Sequence, residues 1–344
     1  MNLSTNAQAV LAQHFVNTAK SYGLAAGNAQ SGQNFAATVT AAQRIYTKIV
    51  EDGNPFLALI NVLPVSEMTG EKVGMSLSGR VASRTDTSAS GERTPKHLNQ
   101  LDSTAYALTA TEFDVALKYA LVDMWAKFPD FAARYMALVR QAIGNDMLTI
   151  GWLGTSKAAN TVAADLSDVN IGWLQLIRVY NAGSQYLIGN ATANLADSVT
   201  LGGTALGGFL NLDILAKAAK EMLPIHHQNR DDLVLLVGSD VLSYQQDTYY
   251  EANGNTPTEK AMLSGRITKA YAEMPTMVPP FFPQSSLLIT PLSNLSIYYQ
   301  DSSVRRLQKD KPEKNEVQEF NSVNQGYVVE DEEMTAFIEG ITFN

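Results

Sequence analysis

The sequence predicts an α+β fold, and three features of the chain support that prediction. Apolar residues recur at helical spacing over residues 130–150. Residues 171–297 combine helical patterns with short apolar runs typical of strands. Strand-like segments also occupy residues 326–330 and 334–343. With 344 residues, 45% of them hydrophobic, the chain can bury a large core, and its length suggests about two domains.

Two amphipathic helices are predicted near the N-terminus. They cover residues 5–22 and 35–50, and each carries one apolar stripe. Gly53 and Pro55 end the second helix. Such helices are stable mainly when the apolar stripe is buried. They therefore either fold onto the main body as a subdomain or form an arm that docks on another chain.

A long two-stranded excursion is predicted next. Residues 73–87 have the composition of an exposed strand, residues 85–96 form a polar tip, and alternation returns over residues 104–119. An isolated hairpin is marginally stable in water and exposes unpaired backbone groups at its edges. It either lies on its own domain or is stabilised by a neighbouring subunit, and the polar tip favours the second alternative.

The remaining elements follow from periodicity and from glycine positions. Asp130 can cap the helix at residues 130–150, and Gly151 and Gly154 are predicted to end it before a loop at residues 155–170. Gly238 terminates a buried strand. Further helices are predicted at residues 212–222 and 239–250, and further strands at residues 233–237, 287–290 and 295–299.

Composition excludes several classes of protein. The formal net charge is −9, and no basic stripe suited to gripping nucleic acid is present. The chain has no cysteine, so disulfides, thiol nucleophiles and Cys-ligated metals are excluded. No apolar run is long enough to span a bilayer, and no basic residue precedes Lys20. We expect a protein made and kept in the cytoplasm.

No motif predicts an enzyme, a cofactor or a metal site. The adjacent pair His226 and His227 would need a third ligand to hold zinc, and neighbours in an extended segment point to opposite faces, so we interpret it as a surface or turn pair. The glycine-rich residues 201–209 lack the Gly-Lys-Ser/Thr of a phosphate loop. The acidic residues at 231–232 and 330–333 could in principle be metal ligands, but acidic residues that flank strands are usually solvated. GxSxG and HExxH motifs are absent, although a triad assembled from distant residues stays open.

Several segments resemble one family in matching order over roughly residues 34–331. The chain is similar to the major capsid proteins of temperate myophages of the peduovirus type, the group of coliphage "P-two". The segments that carry the resemblance are INVLPVSEMTGEKVG at 60–74, GRVASRTDT at 79–87, GERTPK at 91–96, VDMWAKFPDF at 122–131, GWLQ at 172–175, DLVLLVG at 232–238, LLITPLSNLSIYYQDSSVRR at 287–306 and GYVVED at 326–331.

The resemblance implies an HK97-like capsid fold with a definite domain order. We expect an N-terminal helical arm, an extended two-stranded loop, a peripheral domain with a long spine helix, and an axial domain. The expected boundaries are 1–55 for the arm, 56–72 for a peripheral strand, 73–119 for the loop, 120–170 for the peripheral domain with the spine helix at 130–150, 171–297 for the axial domain, and 298–344 for a return to the peripheral domain.

The function that the resemblance implies is a structural one, not enzymatic. Copies of the chain would form hexamers and pentamers of an icosahedral phage head that encloses double-stranded DNA. The protein would belong to the virion and assemble in the bacterial cytoplasm. The implied partners are other copies of the chain, a scaffolding protein with protease activity, a portal protein, packaged DNA without sequence-specific binding and, as an open case, a decoration protein.

Two hypotheses concern particular residues. Family members are commonly trimmed near the N-terminus, so residues 1–33 are a candidate for removal, with residues 25–33 as the target. Charged residues of the loop are expected to contact a neighbouring subunit, the basic ones by pairing with its carboxylates. The alternative is that they are merely solvated. These predicted contact residues are Arg80, Arg84, Asp86, Glu92, Arg93 and Lys96.

The sequence leaves rival functions of two kinds. An encapsulin-like compartment or the shell of a satellite element would share the fold, and packaged DNA with a portal would distinguish a virus from a cargo-filled compartment. A hydrolase with scattered catalytic residues, or a small binding module, belongs to another class. Either would form a monomer or small oligomer, so particle size separates them from a shell.

Overall fold

The computed structural model describes residues 5–23, 34–77, 82, 84, 92, 99–125, 128, 130–188, 199–203, 208–253 and 270–344. Helices and strands are mixed throughout, and the predicted α+β class is confirmed. The α-helices are α1 Thr5–Ser21, α2 Val39–Asp52, α3 Tyr119–Trp125, α4 Phe131–Leu153, α5 Trp173–Val179, α6 Leu212–Glu221 and α7 Ser239–Asn253. Among the described residues, no helix combines the length and the apolar character needed to cross a membrane.

The strands fall into two larger and two smaller sheets. In chain order they are β1 Asn34–Ala36, β2 Asn61–Val65, β3 Thr69–Leu77, β4 Asn99–Ala107, β5 Thr109–Glu112, β6 Val115–Lys118, β7 Tyr186–Ile188, β8 Thr200–Leu201, β9 Gly208–Phe209, β10 Leu233–Val237, β11 Ala270–Tyr271, β12 Met274–Met277, β13 Leu287–Pro291, β14 Leu295–Gln300, β15 Arg305–Lys311, β16 Glu316–Val329, β17 Ala336–Glu339 and β18 Thr342–Phe343.

The first sheet is built around the long strand β16. Its order is β1-β15-β16-β14-β2, and β5 and β6 pair with successive parts of β16. Helices α2, α4 and α5 pack on it around a core that contains the fully buried Trp152 and Trp173. Burying one large apolar side chain stabilises the fold by about 1.5–3 kcal/mol. This core therefore stabilises the part of the fold against which the N-terminal helices pack.

Of the two glycines predicted to end helix α4, Gly154 forms the cap, and the helix extends past the expected residue 150 to Leu153. Gly151 lies inside the helix, where the Trp173 ring packs against it. A side-chain carbon at this position would lie 2.3 Å from that ring, which only glycine avoids. Asp130 precedes the helix without the predicted side-chain cap.

Both N-terminal helices fold onto the body of their own chain. In α1, Ala7 and Leu11 pack against residues of α3, α4, β6 and β16. In α2, Tyr46 stacks on Tyr299 of β14 with ring centroids 3.7 Å apart. These contacts match the first of the two sequence alternatives, a subdomain on the main body. The second alternative, an arm that docks on another chain, stays a prediction about the assembled state.

The second sheet has the order β11-β12-β10-β13-β17-β7 and packs with α6 and α7. The predicted helices and strands of residues 212–250 and 287–299 are confirmed. Two predicted boundaries do not follow the sheets. Strand β14 belongs to the first sheet, whereas the expected axial segment extends to residue 297. Strand β17 pairs with β13 and β7 of the second sheet, within the residues 298–344 expected to return to the peripheral domain. Its Ile338 packs in the core of the second sheet, and its Phe337 packs in the core of the first.

The two-stranded excursion is shorter than predicted. Strands β3 and β4 pair in register from Thr69↔Ala107 to Leu77↔Asn99. The chain then returns to the first sheet, where β5 and β6 pair with β16. The side chains of Leu108, Thr111 and Leu117 are buried there. The predicted loop at residues 73–119 therefore contains a hairpin followed by two strands of the first sheet.

Candidate assembly surfaces

The β3–β4 hairpin is attached to the first sheet at its base. Lys72 donates hydrogen bonds to the backbone carbonyl of Val329 and, at 3.1 Å, to the Glu332 carboxylate. The Tyr106 ring meets Tyr298 edge-on, with centroids 5.3 Å apart. These contacts are half-buried, so they fix the direction in which the hairpin leaves the body.

The strands of the hairpin form a sheet of two. Among the strands that the structure describes, β3 and β4 pair with each other and with no third strand. Each outer edge therefore carries backbone N–H and C=O groups that have no strand partner within the described part of the chain. Two-stranded sheets are marginally stable in water, and free edges are templates for pairing with another chain. This hairpin is the first candidate surface for contact with other copies.

The six charged residues predicted for this region are only partly described. Arg84 and Glu92 are exposed. The other four, Arg80, Asp86, Arg93 and Lys96, lie outside the described residues, so their predicted contacts stay predictions. Both side chains are therefore accessible to solvent.

An apolar patch at α3 was missed by the sequence analysis. Met124 is 60% exposed, Phe128 is 45% exposed and Trp125 is 36% exposed. The rings of Trp125 and Phe128 lie 5.3 Å apart, so these two side chains form a continuous surface. Contiguous exposed apolar surface is typical of interaction sites. Large apolar residues are frequent at positions 121–128, but their spacing does not show which of them stay exposed.

A buried charge cluster joins α1 to the β15–β16 hairpin. It consists of His14, Arg306, Gln308 and Glu319, all at most 4% exposed. His14 Nε2 donates to Glu319 Oε1 at 2.5 Å, and Arg306 donates to Glu319 Oε2 at 2.5 Å. Gln308 Nε2 donates to Oε1 at 2.8 Å. We call these four residues the Glu319 cluster.

The cluster keeps its carboxylate ionised in spite of burial. Burial alone raises the pKa of Glu319. The hydrogen bond from His14 and the charge of Arg306 outweigh burial and hold that pKa at about 2. Removing one partner of a buried ion pair strongly destabilises a fold, because the remaining charge stays buried without compensation. The cluster therefore fastens α1 to β16 in addition to the apolar contacts.

The structure places the histidine pair as the sequence interpretation predicted, in a turn at the surface. The rings of His226 and His227 lie on the same side, with centroids 4.0 Å apart. A third potential ligand, Glu333, lies beside them. Partial burial and then the neighbouring His226 lower the pKa of His227. The separation of 106 positions along the chain hid Glu333 from any local motif.

Comparison with known sequences identifies relatives over most of the chain. The family model "Phage major capsid protein, P2 family" matches residues 11–341. The capsid protein of Escherichia phage P2 is 32% identical over 302 residues, which cover 85% of this chain and 83% of the relative. The major capsid protein of Serratia phage KSP20 is 32% identical over 320 residues, 90% of this chain and 89% of the relative.

Solved structures give the same result. A chain of the satellite phage P4 procapsid, solved with the size determination protein Sid, superposes with a TM-score of 0.74 at 31% identity, covering 88% of this chain and 91% of that one. The capsid of cyanophage A-1(L) superposes with a TM-score of 0.52 at 15% identity, covering 84% and 93%, and supports the fold alone. The fold is HK97-like, as the sequence resemblance predicted, and the chain belongs to the P2 family of phage major capsid proteins.

Proposed function

We propose that this chain is the subunit of an icosahedral phage head, in which copies form hexamers and pentamers around double-stranded DNA. The family match over residues 11–341 is the observation that carries this proposal. Members of the family are structural proteins of the capsid, which argues against the alternative of a hydrolase with scattered catalytic residues. A compartment of the encapsulin type or a satellite-element shell remains the nearest alternative.

The two candidate surfaces fit such a role. A head-to-tail contact between different surfaces of identical subunits closes into rings, and the same contact can close with five or six copies. The β3–β4 hairpin offers free strand edges, and the α3 patch offers apolar area. We assign both surfaces to contacts with neighbouring copies. The loop charges, including Arg84 and Glu92, would then pair across these contacts.

The domain assignment follows the two sheets. We assign the first sheet with α4 as spine helix to the peripheral domain, and the second sheet with α6 and α7 to the axial domain. Residues 298–329 then return to the peripheral domain, whereas residues 336–343 complete the axial domain. The core between α6, α7 and the second sheet lies within the axial domain, whereas Leu236, Leu288 and Phe337 of the second sheet also pack against the core of the first.

The remaining partners follow from the family and from the solved relative. We propose a scaffolding protein with protease activity and a portal protein as assembly partners, with a decoration protein as an open case. The P4 procapsid relative was solved with the Sid protein, which indicates that a shell of this kind accepts an additional size-determining protein. Packaged DNA would be held without sequence-specific contacts, consistent with the net charge of −9.

Trimming of residues 1–33 would remove α1 and with it His14. The Glu319 carboxylate would keep Arg306 and Gln308 as partners. We propose that such trimming follows shell closure, when contacts with neighbouring copies can replace those of α1. The intact mass of subunits from mature particles decides the matter, since a mass equal to the whole 37.3 kDa chain excludes trimming.

Electron microscopy of the expressed full chain tests the proposal. Coexpression with the scaffolding and portal genes of the same phage should give closed icosahedral particles, and particles isolated from infected cells should contain DNA. Particles filled with a cargo enzyme would favour the compartment instead. A monomer or small oligomer under all these conditions would contradict the proposed function.

A further inference from the structure

Two imidazoles and a carboxylate converge on the surface near the end of α6. His226 and His227 lie in the turn between α6 and β10, and Glu333 lies in the short turn between β16 and β17. The distance from His226 Nε2 to Glu333 Oε2 is 3.9 Å. The potential ligand atoms of all three residues lie within 4.8 Å of one another.

The backbone around these residues is fixed by hydrogen bonds. The Glu333 N–H donates to the Asp331 carboxylate at 3.0 Å, and the Gln185 amide donates to the Glu333 carbonyl at 3.0 Å. On the other side, the His227 N–H donates to the Pro224 carbonyl at 2.8 Å. The backbone of each turn is therefore fixed locally, whereas the three side chains are exposed or half-buried.

We propose that His226, His227 and Glu333 bind one divalent transition-metal ion of the zinc class, with water at the remaining position. Tetrahedral zinc has bonds of about 2.0–2.1 Å to nitrogen and oxygen, which places its ligand atoms roughly 3.3 Å apart. Binding would therefore require the three surface side chains to rotate and close the present separations to that value. Two imidazole ligands favour zinc, nickel or copper over magnesium and calcium, which prefer oxygen.

The local charges are compatible with a cation. Arg230 is the nearest positive side chain on the same turn, and it is engaged by Asp232 at 2.6 Å. Its charge is thereby compensated within its own turn. The Asp331 carboxylate acts on His227 from the other side and adds negative charge to the surroundings.

A metal at this position would connect two parts of the fold. His226 and His227 follow α6 of the second sheet, and Glu333 lies where the chain passes from β16 of the first sheet to β17 of the second. Binding to the folded chain alone raises its stability in proportion to the logarithm of ligand concentration. The site would therefore act as a removable link between the two sheets.

The test uses the full chain as unassembled subunits, stripped with EDTA and titrated with ZnCl2 by calorimetry and with CoCl2 by absorption spectroscopy. We expect one metal ion per chain, a tetrahedral cobalt spectrum, and a rise in melting temperature on adding zinc that EDTA reverses. His227→Ala and Glu333→Gln should each weaken zinc binding by roughly tenfold or more.

The matched control is Glu313→Gln, which changes an exposed carboxylate in a similar short turn and should leave binding unchanged. Equal melting temperatures of all variants without metal would confirm that each still folds. An unchanged zinc affinity in Glu333→Gln would mean that the two imidazoles bind alone and would overturn the three-ligand site. Absence of stoichiometric binding by the unmodified chain would overturn it as well.

Discussion

The Glu319 cluster and the β3–β4 hairpin differ in where their polar groups find partners. In the cluster, a fully buried, ionised carboxylate accepts hydrogen bonds from residues of α1 and β15 of the same chain. In the hairpin, the strands pair with each other and leave both outer edges without a third strand among the described residues. The subunit thus completes its core by itself and leaves its hairpin incomplete.

This difference predicts two classes of variant. Changes in the Glu319 cluster should reduce the stability of the isolated subunit, because its partners are internal. Changes at the hairpin or at the α3 patch should leave the isolated subunit intact and reduce assembly, because the partners there are other copies.

The largest expected effect is the loss of the buried carboxylate. Glu319→Ala leaves Arg306 buried without its counter-charge and should lower the free energy of unfolding by about 3–5 kcal/mol. Urea denaturation of unassembled subunits measures this. Glu316→Gln, on the same strand but only half-buried, is the control and should change stability little. A loss below about 1 kcal/mol for Glu319→Ala would mean that the cluster does not hold the fold together.

The second prediction concerns acid. The pKa of Glu319 is about 2 in the folded chain and 4.5 in its ordinary state, so the folded form binds its proton less readily. The stabilisation is present above pH 4.5 and is lost as the pH falls towards 2, by about 3 kcal/mol in all. The facing groups are His14, Arg306, Tyr22 and Tyr135, and both tyrosines are neutral in this range.

Unfolding free energies measured from pH 5 to pH 2 check this prediction. The unfolding free energy should depend less steeply on pH in Glu319→Gln, because glutamine has no proton to gain at this position. Equal pH dependence in the two proteins would contradict the assignment of this acid sensitivity to Glu319.

A smaller effect on folding and a larger one on assembly are expected at the α3 patch. Met124→Ser changes a side chain that is 60% exposed, so the free energy of unfolding should change by no more than about 0.5 kcal/mol. The yield of closed particles should fall, since apolar area at the contact is lost. Val162→Ser, which alters an exposed apolar residue far from α3 in sequence, is the control. Normal particle yields from Met124→Ser would remove the patch from the proposed interface.

The smallest change in free energy per contact is expected at the hairpin charges. Exposed ion pairs contribute about 0–1 kcal/mol each. Arg84→Glu should leave the melting temperature of the subunit unchanged and slow the formation of shells, measured by light scattering. Arg84→Lys keeps the charge and should assemble almost normally. If Arg84→Glu forms shells at the normal rate, its side chain is merely solvated.

The sequence predicted elements that carry a clear period and missed contacts between distant segments. Helix α4 and strand β10 follow from regular apolar spacing. The charged residues 309–319 form the turn of the β15–β16 hairpin and the strand ends beside it. In β16 the side chains of Val317 and Glu319 are both buried, and Glu319 meets His14, which lies 305 positions away in the chain. No local pattern encodes that pairing.

The candidate surfaces were predictable to different degrees. The hairpin followed from a polar tip between two strand-like segments, and the family resemblance followed from ordered motifs. The C-terminal limit of the hairpin at Ala107 could not be predicted, because the alternation of apolar and polar residues continues without interruption into β5 and β6. The exposed Met124 could not be recognised either, since a helical stripe does not reveal which face the rest of the fold leaves uncovered.

Hydrogen exchange of unassembled subunits and of closed shells tests the central claim most directly. Amides of β14 and β16 should be protected in both states, because their partners lie within the chain. Amides of β3 and β4 should exchange rapidly in the subunit and become protected in the shell, when another copy covers the hairpin. Equal protection of the hairpin in the two states would contradict the claim that this region depends on neighbouring copies.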